Sequence, residues 1–158
     1  MENKSGRENY ISFVNRSYYV ASLLIERLEE LKIHHIKPEL EALLDRAIFQ
    51  LRAKAILMRD VIVASGETDS AEAVEPVLNL LESIFNRVLQ PGLGLQHIHL
   101  YDYLNLSDCM MRETERINEI LSHQLSPEFL TETELYDTNI LNGPLDFLKE
   151  NFQSAVIS

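Results

Sequence analysis

A chain of 158 residues, 46% hydrophobic and 25% charged, has enough apolar material for one core and too much for general disorder. Its formal net charge of −11 is unevenly spread: residues 1–65 carry 10 Lys and Arg against 9 Asp and Glu, and residues 66–158 carry 4 against 16. An acidic second half repels phosphate backbones and no run reaches the ~18 apolar residues of a membrane span, so neither autonomous nucleic-acid binding nor membrane insertion is expected.

The first predicted helix runs from about Glu8 to His34, with Ile11, Val14, Tyr18, Ala21, Ile25 and Leu28 at steps of three and four. Phe13, Val20, Leu23, Leu24 and Leu31 widen that stripe, which implies neighbours on more than one side. Pro38 opens the second helix where its missing N–H costs nothing, and the helix extends to about Ala64. Leu40, Leu44, Ala47, Leu51, Ala55, Met58 and Ile62 form its inward line. Phe49, Ala53, Ile56 and Val63 lie off that line and are expected to broaden the buried surface.

Gly66 is placed to end the second helix, and Asp69-Ser-Ala-Glu72 has the spacing of a capping box for the third. The third helix ends near Gln90, with Pro76 either in the first turn of a helix that starts near Glu75 or kinking a longer one. A fourth helix is expected from about Leu95 to Gln124, with Leu100, Leu104, Ser107, Met111, Thr114, Ile117, Leu121 and Leu125 facing inward. Short helices are expected over about 127–136 and 144–155. These elements define an all-α fold: one domain over residues 1–158, an antiparallel four-helix bundle of long helices (about 8–125) with two short C-terminal helices.

The fourth helix holds the densest group of functional side chains, "DCMMRETERINEILSH" from Asp108 to His123. Asp108 and Arg112, Arg116 and Glu119, and Glu119 and His123 are three or four apart, so each pair meets on the helix surface as a charge ladder. Cys109 is expected to pack rather than react. The tyrosines of "SYY" (17–19) and "YDY" (101–103) suit the rim of a core or an interface.

Arg116 and His123, with six residues between them, resemble the arginine-to-histidine motif of HEPN-type ribonucleases, which are also small helical bundles. That resemblance implies metal-independent RNA cleavage, with His123 moving protons and Arg116 stabilising charge on phosphorus. The family usually follows its arginine with a polar residue, where Ile117 stands here. His97, His99 and Asp102 form the densest set of potential metal ligands. His97 with Asp102 resembles the last motif of hemerythrin-like bundles, although the five histidines of the chain cannot fill that family's pattern.

The sequence therefore points first to a non-enzymatic interaction module: an adaptor, inhibitor or regulatory subunit without a cofactor. Its acidic surface would meet a protein partner, most favourably a basic one. Arg112, Glu115, Arg116 and Glu119 on the fourth helix, and Glu128, Glu132, Glu134 and Asp137 beyond it, are the expected contact residues. The wide apolar surface of the first two helices suggests a homodimer. One cysteine and a polar N-terminus without a signal-like apolar core suggest the cytoplasm.

Overall fold

The computed structural model describes residues 4–34, 36–66, 74–90, 96–121 and 139–151, with side chains for all of these except 4–10, 96 and 114–121. Those residues form five helices and no strand: α1 (Lys4–Leu31), α2 (Pro38–Ala64), α3 (Glu75–Val88), α4 (Gln96–Leu121) and α5 (Asn142–Glu150). The expected all-α class is thus observed. The capping box at 69–72 and the short helix expected over 127–136 lie outside the described residues.

α1 stops three residues before the expected end. Its backbone tightens there into three-residue turns, with Ile33 N–H donating to Glu30 at 3.1 Å and His34 N–H to Leu31 at 3.0 Å. Such bonds satisfy carbonyls that a helix end leaves without partners. The buried line of α1 runs through Val14, Ser17, Ala21, Leu24, Leu28 and Leu31. It is centred one residue row away from the expected stripe, leaving Tyr18 and Ile25 only half-buried.

Both ends of α2 fall where the sequence places them. Pro38 occupies the first turn beside Glu39 and Glu41, where a fixed φ and negative charge favour a helix start. At the other end Ser65 N–H donates to Val61 at 3.0 Å and Gly66 to Val63 at 3.0 Å, with Gly66 at φ +82°. Only glycine adopts that angle without a Cβ clash, which explains the sharp stop. Pro76 sits in the first turn of α3, so the alternative of a kinked, longer helix is not realised.

One apolar cluster joins the five helices. Leu24 and Leu28 of α1, Leu44 and Leu51 of α2, Phe85 of α3, Leu104 of α4 and Leu148 of α5 are all essentially inaccessible to solvent. α1 packs on α2 and α4, α3 on α4, and α5 on both α4 and α2. The last contact is close: a Cβ on Gly143 would stand 3.1 Å from Leu43 Cδ2, so glycine lets α5 reach α2. Ser107 lies inside the core and donates its hydroxyl to Tyr103 O at 2.8 Å, the back-bond expected of a buried helical serine. Tyr103 itself departs from the rim position expected of a tyrosine. It is fully buried, with its ring centroid 5.1 Å from that of Phe85, and its hydroxyl bonds to no described residue.

Candidate interaction surface

α2 buries Leu40, Leu44, Ala47, Ile48, Leu51, Met58, Val61 and Ile62, and these residues occupy one side of the helix. Phe49, Ile56 and Val63 fall on the opposite side. Instead of broadening the core as expected, they are 76%, 64% and 65% exposed. With exposed Ala42 they stand seven residues apart, which places them on a single line along the helix. From Ala42 to Val63 that line is about 31 Å long at 1.5 Å per residue. A monomer ordinarily scatters such residues, so an aligned run of this length makes this face the candidate contact surface.

Charges border the line on both sides. Three positions after each line residue come Asp45, Arg52 and Arg59, all turned toward α1. Asp45 pairs with Lys32 at 2.5 Å, Arg52 with Glu29 at 3.1 Å, and Arg59 Nη1 donates to the Tyr18 hydroxyl at 3.4 Å. The Asp45 carboxylate, through its hydrogen bond, holds the Lys32 ammonium above the usual lysine value. Four positions after each line residue come Arg46, Ala53 and Asp60, all exposed, and neither Arg46 nor Asp60 pairs with a described side chain. On the α1-facing border Asp45 and Arg52 are therefore neutralised by α1, and Arg59 is held by a hydroxyl; the other border keeps one positive and one negative group.

The charged stretch on α4 is less open than a solvated ladder. Asp108 is only 7% exposed, and Arg112 Nε donates to its carboxylate at 2.6 Å. Arg112, itself exposed, also reaches Asn142 Oδ1 at 3.3 Å, joining α4 to α5. Cys109 is exposed rather than packed, because the adjacent inward position is taken by Asp108. Backbone at Glu115, Arg116 and Glu119 is helical, but their side chains lie outside the described residues. His123, Glu128, Glu132, Glu134 and Asp137 lie outside them entirely, so of the expected contact residues the side chain of Arg112 alone is described.

Burial pushes the Asp108 carboxyl above its ordinary value, and the Arg112 hydrogen bond and charge reverse only part of that. A carboxyl raised on folding holds its proton more tightly in the native state. Its contribution to stability is then present at low pH and is lost as pH rises from the unfolded value through the folded one. Asp108→Asn keeps an acceptor for Arg112 and removes the buried charge. It is expected to match the wild type at about pH 3, below the ordinary aspartate value, and to exceed it at pH 7. Urea midpoints at the two pH values check this; a wild type more stable at pH 7 would mean that the ion pair outweighs burial.

His97 and His99 are half-buried and Asp102 is exposed on successive turns of α4. Among the described residues no three His, Cys, Asp or Glu side chains gather in a way that could hold a metal ion. Burial, and then the neighbouring His99, lower the His97 imidazole below its usual value. His97 instead lines an apolar cleft of about 270 Å³ with Ile98, Tyr101, Leu148 and Lys149. Asn15 and Ser17, which form an N-x-S triplet, are 8% and 0% exposed. Among the described residues, no helix is long and apolar enough to cross a membrane.

No protein-family model, curated protein or solved structure matches this chain. Its functional assignment rests on its own residues.

Proposed function

We propose that the chain is a non-enzymatic interaction module, an adaptor, inhibitor or regulatory subunit that meets other proteins through two surfaces. The observation that carries this is the exposed line of Phe49, Ile56 and Val63 on a helix whose other face is fully packed. Large aligned apolar side chains in water gain free energy only by being covered, at about 25 cal/mol per Å². The second surface is the acidic half of the chain, where residues 66–158 carry 16 Asp and Glu against 4 Lys and Arg. It favours a basic partner, adding association rate and discrimination more than affinity.

The architecture that presents these surfaces is an antiparallel bundle. Tyr18 with Arg59, Glu29 with Arg52 and Lys32 with Asp45 support it for α1 and α2, because numbers rise on one helix as they fall on the other. Arg16 with Glu113 and Arg27 with Glu82 tie α1 to α4 and α3 in the same assembly. We place the protein in the cytoplasm, on the strength of its lone, exposed cysteine. The ribonuclease and metal alternatives gain nothing from the described residues: His123 lies outside them, and no ligand cluster occurs among them.

Affinity purification from the native cells tests the partner. Wild type is expected to retain a basic protein at fixed stoichiometry, with binding that weakens as salt rises above a physiological ~0.15 M. Replacing Glu128, Glu132, Glu134 and Asp137 together with lysine is expected to abolish retention. Binding indifferent to both salt and this reversal would remove the acidic surface from the proposal.

A further inference from the structure

We infer that the outer face of α2 is covered by α2 of a second copy of this chain, running antiparallel, with the twofold axis beside Ala53. This rests on the interaction-module proposal and names the occupant of its apolar surface. The face is self-complementary in that one register. With the axis between Arg52 and Ala53, Phe49 lies against Ile56 and Ala42 against Val63, and each contact occurs twice. Large meets small or branched at every level, and the Ala53 pair lets the two backbones approach closely. A parallel pairing would set Phe49 on its own copy and leave Ala42 facing Ala42.

The charges agree with the same register. Arg46 of each copy falls opposite Asp60 of the other, so the two border groups without described partners in the chain find each other twice. On the α1-facing border Asp45 falls opposite Arg59. Among the described residues of these borders, the like-charge meeting is Arg52 with its own copy, and each of those guanidiniums already holds Glu29 at 3.1 Å. A seven-residue apolar period drifts about 20° per repeat around a straight helix. The two helices therefore wrap left-handedly, at the ~20° crossing that interlocking side chains favour. Helix dipoles are also opposed in this arrangement rather than aligned.

Sedimentation of the purified chain across a concentration series tests the association. Wild type is expected to form a dimer. Ile56→Glu is expected to weaken it roughly 100-fold or more, since each copy brings a charge to the seam, with unchanged helical content. Because residue 56 is 64% exposed, loss of the dimer by this change cannot be attributed to unfolding. Arg46→Asp and Asp60→Arg are each expected to weaken association about 10-fold, and the two combined to restore it.

Direction is read by oxidation in a Cys109→Ser background. Ala53→Cys is expected to form a covalent dimer. Val63→Cys is not, because residue 63 stands about 30 Å from its own copy in this register. A monomer at all concentrations, or crosslinking through residue 63, would overturn the inference. A monomeric chain that still retains a basic partner would leave the acidic-surface proposal standing. A dimer of the expected register without such a partner would do the reverse.

Discussion

Phe85→Ala is expected to cost about 3–5 kcal/mol of folding stability, the range for deleting a fully buried aromatic ring. Phe85 is 1% exposed and sits where α1, α3 and α4 meet. Its ring lies against that of Tyr103, inclined by 56°, and the Arg27 guanidinium stands 6.0 Å from its centroid. Truncation leaves a void that three helices cannot close without giving up other contacts, and it uncovers the Tyr103 ring. A loss of that size is a large part of the 5–15 kcal/mol that stabilises an ordinary domain. Phe49→Ala supplies the contrast, because its ring is already 76% exposed and should change folding by less than about 0.5 kcal/mol. Urea denaturation of both, in an Ile56→Glu background so that association does not enter, measures the difference. Equal costs would refute the assignment of one ring to the core and the other to the surface.

Arg27→Ala is expected to cost about 2 kcal/mol, although Arg27 is a charged side chain with 26% of its surface open to water. Its Nε donates to both carboxylate oxygens of Glu82 at 2.9 Å, and Nη1 donates to Glu30 at 2.8 Å. One planar group thus joins α1 to α3 and stands over the ring of Phe85. The Glu82 hydrogen bond, more than any other influence, holds the guanidinium more tightly protonated than a free arginine. Removing it leaves Glu82 and Glu30 partly buried without their cation, and that desolvated charge is the larger part of the loss. Arg27→Lys keeps the charge but cannot match the fork, so less than half of the stability should return. A double-mutant cycle with Glu82→Gln is expected to give a coupling of about 1 kcal/mol, and additive losses would mean that the pair is only a surface contact.

Much of this fold is legible in the sequence wherever a physical rule acts locally. Pro38, Gly66 and Pro76 mark helix ends because proline lacks an N–H and glycine alone tolerates a positive φ, and the observed bounds fall where they indicate. Hydrophobic spacing identified the core side of α2 nearly residue by residue. It failed where identity and environment part company. Ser17 and Asp108 are polar yet buried, so a pattern of apolar residues passes over them and sets the inward line of α1 one row aside. Phe49, Ile56 and Val63 are apolar yet exposed, and nothing in α2 alone distinguishes a side chain bound for the chain's own core from one left for another surface. The seven-residue spacing of those three, on the side opposite Leu44 and Leu51, was the available signal. The Arg27–Glu82 link joins residues 55 apart in sequence, a pairing that depends on how α1 and α3 meet and that no local rule foretells.

The position of α5 in the core also bears on how the protein is made. Leu141, Leu145 and Leu148 share one cluster with Leu44 and Leu51 of α2 and Leu104 of α4, the two helices on which α5 packs. A ribosome adds roughly 5–20 residues per second, so α2 emerges several seconds before the helix that completes its packing. Through that interval the nascent protein holds a groove that Leu141 to Leu148 will later fill, and a chaperone that shields apolar surface would find it open. Completion of the core thus waits for the translation of α5, and a stalled chain ending before Leu141 would be left with its interior exposed to the quality-control machinery.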